Sequence, residues 1–283
     1  EDRNMTILFS DVRGFTTISE IYKDDPQGLT TLMNNFLTPM TNAIVERNGT
    51  IDKYIGDAIM AFWNAPLDDH DHEAHACSAA LDMLRRIDDL NHEREAEALE
   101  DGKPYFPMSI GLGINTGTCV VGNMGSDLRF DYSVLGDSVN LASRLEGRSK
   151  EYGTPIIIGA HTAEKLDGRF AALQIDLITV KGKTEPESIY ALLGDQTVND
   201  SAGFKTVADS EAFRSVSALV RDTLACYRNR DWDGAERALH NAVSAPDHFG
   251  LDEIFNTYRE RIRTFRETPP PASWDGVYAF DKK

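Results

Sequence analysis

The sequence is poor in features that would assign it to several large classes of protein. Its three cysteines, Cys77, Cys119 and Cys226, are far apart and match neither a zinc-site spacing nor the even count of a disulfide framework. It has no run of 18 apolar residues, so no segment is predicted to span a bilayer as a helix. Basic residues number 29 against 46 acidic ones, which argues against a basic surface that grips nucleic acid.

The remaining composition indicates a folded, two-domain chain in a reducing, cytoplasmic setting. Apolar residues make up 41% of the 283, enough for a hydrophobic core. The net charge of −17 is uneven, since almost all of it lies before residue 200. This shift predicts a first domain of residues 1–197 and a second of residues 198–283. The chain begins without Met and close to a strand, so we expect a fragment of a longer protein. A membrane sensor, a cytosolic receiver and no regulatory region at all stay open for the part before it.

Apolar runs of strand length alternate with helical periods, but without regular βαβ spacing. The pattern therefore favours an α+β fold. Asn115-Thr116-Gly117 stands between two apolar runs and predicts the turn of a hairpin.

Two acidic residues mark places where a buried strand reaches a turn. Asp11 follows the apolar run Met5–Phe9 and precedes a glycine turn and a helix start, which suits a metal ion bound beside a phosphate. A helix-capping Asp is the alternative for this position. Asp57 lies at the tip of a predicted hairpin, where an ordinary turn is the alternative. If the two acids converge, they can hold two hard cations.

A third segment runs from Tyr132 to Arg144. Asn140 and Arg144 are four residues apart and therefore share a helical face. An amide and a guanidinium directed at one place suit a ribose oxygen and a phosphate oxygen. A solvated helix face is the alternative.

Together these segments resemble the catalytic domain of class III adenylate and guanylate cyclases. The resemblance covers roughly residues 4–195 and includes the segments 114–117 and 180–183. It implies a ferredoxin-like or palm-type, antiparallel-rich sheet flanked by helices. It also implies a homodimer whose active sites lie across the subunit interface, and in-line attack of the ribose 3′-OH of ATP on the α-phosphorus, giving cyclic AMP and pyrophosphate.

The resemblance further implies a role for each matched residue. Asp11, Asp57 and the Val12 carbonyl would bind two Mg²⁺ or Mn²⁺ ions. The base would be recognised by residues of the opposite subunit from the one that supplies the metal-binding aspartates. The implied nucleotide contacts are the backbone of Gly14, Phe15 and Thr16 for the phosphates, Lys181 for the terminal phosphates, Asn140 for the ribose, Arg144 for the α-phosphate, and Lys53 and Ser133 for the base.

The identity of Lys53 favours ATP as the substrate. An ammonium group can donate to adenine N1, whereas guanine presents an N1–H donor there. Guanylyl cyclases of the family carry Glu at this position. Ser133 stands where many adenylyl cyclases have Asp and a bacterial-type subgroup has Thr or Ser. Because a hydroxyl can donate or accept, base discrimination is expected to be looser. That subgroup is associated with bicarbonate stimulation, so bicarbonate regulation is a further expectation.

Three alternatives remain open at this point. A guanylate or mixed-specificity cyclase is disfavoured by Lys53. A non-catalytic nucleotide-binding regulatory module is expected to lack a metal Asp, Asn140 or Arg144, and none is missing. A helical scaffold that binds partners through the C-terminal part could coexist with catalysis.

The last third of the chain predicts a small all-helical extension. Apolar residues at helical spacing, and a Tyr227…Trp232…Leu239 pattern, resemble one tetratricopeptide-type hairpin followed by a tail around Trp274. Such repeats need about three copies to be stable alone. We therefore expect the extension to pack on the catalytic domain or on the partner subunit. The histidine tract at residues 70–75 predicts a solvated helix start rather than a metal site.

Overall fold

The computed structural model describes residues 1–102, 105–126, 128–179, 185–196 and 207–279. The described residues form two compact units, Glu1–Glu146 and Gly147–Lys283. The helices and strands in these ranges are, in chain order, β1 (Asp2–Val12), α1 (Phe15–Ile21), α2 (Pro26–Val45), β2 (Thr50–Ile55), β3 (Ala58–Trp63), α3 (His72–Asp101), β4 (Ile110–Ser126), β5 (Arg129–Leu135), α4 (Asp137–Ser149), β6 (Ile156–Gly159), α5 (Ala160–Glu164), β7 (Phe170–Thr179), β8 (Glu187–Asp195), α6 (Glu211–Arg228), α7 (Trp232–Val243), α8 (Asp252–Glu267) and β9 (Tyr278–Ala279).

The first unit is built on an antiparallel sheet. Its strand order is β2-β3-β1-β4, and β5 also pairs with β4. Met5, Ile7 and Leu8 of β1 are fully buried, as expected for a central strand. Helix α3 contacts β1, β3 and β4, and α2 packs on α3 and β2. The sheet and its helices therefore enclose one hydrophobic core, and the α+β prediction is confirmed.

The predicted hairpin at residues 115–117 is wrong. β4 runs unbroken through this segment and pairs with β1 from Asp2↔Val120 to Val12↔Ile110. The polar residues serve packing instead: Thr116 Oγ1 lies 2.8 Å from Thr6 Oγ1, and Asn115 Nδ2 donates to the Ser138 carbonyl at 3.2 Å. A Cβ at Gly117 would overlap the Ser138 side chain, so glycine here permits close approach rather than a turn.

The histidine tract also differs from the prediction. α3 does begin there, but His72 and Glu73 are buried rather than solvated. His72 Nδ1 lies 2.7 Å from Thr6 Oγ1 on β1, so the ring bonds to the sheet. Burial lowers the pKa of His72, against the neighbouring acids that raise it.

The second unit contains its own strands and most of the C-terminal helices. Its strand order is β6-β8-β7-β9, antiparallel except for the parallel pair of β7 and β9. Helix α6 packs on α7 and on β7, and α7 packs on α8. An aromatic cluster holds the helices and the tail together, with ring centroids 5.1–6.1 Å apart. Its members are Tyr227, Trp232, Tyr258, Phe265 and Trp274.

Helix α8 is joined to β7 through buried polar groups. Arg261 Nη1 donates to Asp176 Oδ2 at 2.6 Å, Tyr152 donates to the same oxygen at 2.5 Å, and Tyr258 donates to the Ile175 carbonyl. The ring of Tyr278 in β9 covers the Arg261 guanidinium at 3.5 Å. The expectation that the helical extension packs on the catalytic segment is thus confirmed for α8. The 1–197 and 198–283 domain division stays a prediction.

In the part of the chain that the structure describes, none of the helices has both the length and the apolar character needed to cross a bilayer.

Candidate active site

Asp11 and Asp57 come together at one end of the first unit. Asp11 is the penultimate residue of β1, and Asp57 lies in the turn between β2 and β3, where Gly56 adopts a left-handed φ of 66°. β1 and β3 are paired up to Ser10↔Ile59, which carries the turn to the end of β1. The two carboxyl groups are close enough to share a hydrogen bond. The sheet therefore brings together the two acids that the sequence analysis paired.

The electrostatics of this pair favour a bound cation. Burial raises the pKa of Asp11, and the charge and hydrogen bond of Asp57 raise it further, while Arg13 lowers it. Burial also raises the pKa of Glu146, whose Oε1 lies 3.3 Å from Arg13 Nη1. Carboxylate oxygens are the ligands that Mg²⁺ prefers, and a divalent ion would relieve the repulsion between the two acids. The donor set thus fits the metal ions implied by the sequence.

The segment after Asp11 forms a tight entry into helix α1. Val12 is buried, Gly14 adopts a left-handed φ of 67°, and α1 starts at Phe15. No side chain accepts a hydrogen bond from the backbone at the N-terminus of α1, so Asp11 does not serve as the helix cap. The first N–H groups of a helix lack intrahelical acceptors. The backbone of Phe15 and Thr16 therefore offers donors next to the acidic pair.

Lys53 and Ser133 form a second group of contacts. Lys53 lies on β2, and Ser133 lies on β5 opposite Gly122 of β4. Tyr132 packs on Phe62 of β3, with ring centroids 6.1 Å apart, and β2 contacts β5. Lys53 Nζ reaches Ser133 Oγ at 3.5 Å although the residues are 80 positions apart. The structure therefore joins the two predicted base-reading residues.

Asn140 and Arg144 lie on helix α4, as their spacing predicts. Asn140 is exposed and Arg144 half-buried. Within the described ranges, neither side chain has a hydrogen bond or an ion pair. A Cβ at Gly113 of β4 would overlap the Ala142 carbonyl and the Glu146 amide, so glycine lets α4 lie directly on the strand. The solvated-face alternative remains compatible with this geometry. Lys181 lies outside the described residues.

Comparison with known proteins identifies the family. Residues 1–194 match the model of the adenylate and guanylate cyclase catalytic domain. The chain belongs to this family.

Relatives of the cyclase domain include bacterial adenylate cyclases. The chain is 42% identical over 191 residues to an adenylate cyclase of Anabaena cylindrica, covering 66% of this chain and 36% of that protein. It is 32% identical over 192 residues to adenylate cyclase 1 of Rhizobium meliloti, covering 68% of this chain and 28% of that protein. The chain thus spans about a third of the length of these relatives.

Solved cyclase structures share the fold. The adenylyl cyclase CyaB from P. aeruginosa matches with a TM-score of 0.63 and 36% identity, over 71% of this chain and 97% of that one. The guanylyl cyclase Cya2 matches with a TM-score of 0.61 and 31% identity, over 72% and 98%. The antiparallel-rich sheet flanked by helices is therefore that of a cyclase catalytic domain, as predicted.

The cyclase site contains residues that the sequence analysis missed. Arg13 and Glu146 pair beside the acids, and Asp52 contacts both Lys53 and Ser133. Arg13 lies inside the first motif, and that position was the available signal for it. Asp52 precedes Lys53, and Glu146 follows Arg144 by two residues, but the sequence gave no signal for their roles because the contacts with Ser133 and Arg13 are long-range.

Proposed function

We propose that the chain is an adenylate cyclase that converts ATP to 3′,5′-cyclic AMP and pyrophosphate. The observation that carries the proposal is the contact of Lys53 with Ser133 in a chain that also pairs Asp11 with Asp57. Family membership and relatives named as adenylate cyclases support it. The lysine favours adenine because its ammonium can only donate, and adenine N1 can only accept.

Asp11, Asp57 and the carbonyl of Val12 would hold two Mg²⁺ or Mn²⁺ ions. When bound, such ions lower the pKa of a coordinated hydroxyl and neutralise phosphate charge. The backbone amides after Gly14 bind phosphate oxygens at the start of α1. Lys181 binds the terminal phosphates.

Helix α4 supplies the residues that act on the reacting groups. Asn140 orients the ribose so that its 3′-OH is in line with the α-phosphorus, and Arg144 stabilises the charge that develops on the α-phosphate. Their freedom from other partners among the described residues leaves both side chains available to a nucleotide. Phosphoryl transfer needs such positioning and charge stabilisation more than covalent chemistry.

The active form is a homodimer in which Lys53 and Ser133 of one subunit read the base of a nucleotide held by Asp11 and Asp57 of the other. One chain carries every matched position, so two equivalent sites result. Sedimentation velocity with and without a non-hydrolysable ATP analogue tests the dimer. A monomer that retains full activity would contradict it.

Cyclic nucleotide production by the purified chain tests the activity. ATP and GTP are supplied in parallel with Mn²⁺ or Mg²⁺, and Asp57→Ala provides the blank. Cyclic AMP from ATP that is lost in the variant supports both the activity and the acidic pair. Cyclic GMP as the main product would favour the guanylate cyclase alternative, to which the similarity with Cya2 gives some weight. No product from either nucleotide would favour a regulatory binding module.

Bicarbonate stimulation is a finer proposal that rests on Ser133 at the second base-reading position. The measurement is the rate of cyclic AMP formation across bicarbonate concentrations at constant pH and ionic strength. We expect a rise, and a flat response would remove the proposal.

A further inference from the structure

Asp52 connects the two base-reading side chains. Its carboxylate accepts a hydrogen bond from Ser133 Oγ at 2.8 Å and lies 3.2 Å from Lys53 Nζ. The Asp52 side chain is fully buried, whereas that of Lys53 is 46% exposed. Burying a carboxylate is costly unless it is paired. The hydrogen bond from Ser133 and the ion pair with Lys53 offset the cost of burying Asp52.

A β-bulge makes this arrangement possible. The β2–β3 register shifts between Ile51 and Lys53, so Asp52 has no partner on β3. In a regular strand, the side chains of successive residues point to opposite faces. At the bulge, Asp52 and Lys53 instead both reach Ser133, and bulges next to active sites commonly redirect a side chain in this way.

Asp52 determines the direction of the hydrogen bond made by Ser133. A carboxylate oxygen only accepts, so the hydroxyl proton of Ser133 is directed at Asp52. Ser133 Oγ can therefore act only as a hydrogen-bond acceptor toward a nucleobase. The ammonium of Lys53 can only donate. Together the pair presents one acceptor and one donor to a nucleobase.

We propose that Asp52 is a positioning residue that makes the site selective for adenine by holding Ser133 as a hydrogen-bond acceptor. The proposal rests on the adenylate cyclase function proposed above. Adenine offers the N6 amino donor to Ser133 and the N1 acceptor to Lys53. Guanine offers the O6 acceptor and the N1–H donor, which leaves both contacts mismatched. Without Asp52 the hydroxyl can rotate and donate to O6.

Two variants of Asp52 test the proposal in the full chain. Asp52→Leu keeps the branching at Cγ, although leucine is larger, and removes the acceptor together with the buried charge. Asp52→Asn keeps the shape but lets the amide donate or accept. We expect the ATP-to-GTP ratio of kcat/KM to fall roughly tenfold in Asp52→Leu, the size of one misdirected hydrogen bond, and less in Asp52→Asn. Asp88→Asn, on the exposed side of α3, removes one charge elsewhere and should leave the ratio unchanged.

Direct binding gives a second readout. The affinities for 3′-deoxy-ATP and 3′-deoxy-GTP, which lack the attacking hydroxyl, are compared by calorimetry. The ratio of the two dissociation constants should shift as the kinetic ratio does. A merely structural role would weaken both nucleotides, or slow both reactions, in proportion, and that result would overturn the proposal.

The Ser133→Ala background shows whether Asp52 acts through the hydroxyl. In the Ser133→Ala background, Asp52→Leu should change the ATP-to-GTP ratio of kcat/KM much less than it does in the wild type. An equal change in both backgrounds would overturn the proposal. Thermal unfolding of each variant sets an assay temperature at which all are folded. If the wild type forms no cyclic AMP from ATP, the proposed function fails; if it does and the variants keep the wild-type ratio, only the role of Asp52 fails.

Discussion

At the residue scale, Asn140 and Arg144 are the side chains that we propose to act on the transition state. Both project from α4, and neither has a partner among the described residues. Groups that bind more strongly in the transition state than in the ground state change kcat more than KM. This distinction can be measured.

Changing Asn140 or Arg144 to Ala should lower kcat roughly 10²-fold or more, with a smaller change in KM, because one transition-state donor is lost. Steady-state cyclic AMP formation from ATP measures both constants. Arg148→Ala is the matched control, since Arg148 lies one turn further along α4 and pairs with Glu151 at 2.7 Å. A near-normal kcat in either Asn140→Ala or Arg144→Ala would contradict the assigned role.

The acidic pair predicts a pH-dependent cost to stability. The folded state raises the pKa of Asp11, so between its ordinary value and the raised value the folded chain binds more protons than the unfolded chain. Stability attributable to Asp11 therefore falls as pH rises through that window, and the cost is fully present at neutral pH.

Asp11→Asn should accordingly raise the unfolding temperature in the presence of a chelator at pH 7 while abolishing activity. The increase in unfolding temperature should shrink as the pH approaches about 4, where an ordinary Asp takes up its proton. Melting curves across pH for wild type, Asp11→Asn and Asp88→Asn measure the effect. An Asp11→Asn chain less stable than wild type at pH 7 would show that the two acids do not repel each other.

At the scale of elements, the position of α4 depends on a glycine in β4. A Cβ at Gly113 would overlap the backbone of Ala142 and Glu146, so any larger residue pushes the helix away. Gly147, on the same helix, has open space around its Cβ position.

These two glycines predict opposite effects of alanine. Gly113→Ala should destabilise the chain by about 1–3 kcal/mol through overpacking and should lower kcat because α4 carries Asn140 and Arg144. Gly147→Ala should stabilise it by up to about 1 kcal/mol through helix propensity. Urea unfolding measures both free energies. Equal stability of the two variants would mean that β4 and α4 are not in close contact.

At the scale of the whole molecule, the C-terminal helices complete the second unit. Arg261 of α8 is buried against Asp176 of β7, and Tyr152 and Tyr258 join the same group. Burial raises the pKa of both tyrosines, with Asp176 raising it further, so both stay protonated donors at physiological pH. Removing the helices would leave Asp176 as a buried charge without its cation.

Arg261→Met should therefore destabilise the chain by about 3–5 kcal/mol, since it breaks a buried ion pair. Arg266→Met, which breaks contacts with the exposed Asp233 and Glu236, is the control and should change the unfolding midpoint little. Thermal and urea unfolding compare them. If both variants melt together with wild type, the C-terminal helices are independent of β7.

The sequence predicted the strands and helices well where the pattern is local, and failed where polar residues are buried. The β2–β3 hairpin and α4 follow from apolar spacing and glycine turns, which depend on neighbouring residues. Asn115-Thr116-Gly117 has the composition of a turn, but its groups bond to Thr6 and Ser138 across the core. His72 was assigned to solvent because its partner Thr6 is 66 residues away.

By itself, the sequence determined the family and the α+β class, and it predicted the residues of the acidic pair and of the proposed base-reading pair, because each motif is a short run whose residue types and order carry the information. Only the tertiary structure decided which of these residues meet. The contact of Ser133 with Asp52 joins residues 81 positions apart and depends on strand pairing and on one bulge. Hydrogen-bond direction, and with it the selectivity proposed for the base, is a property of that contact.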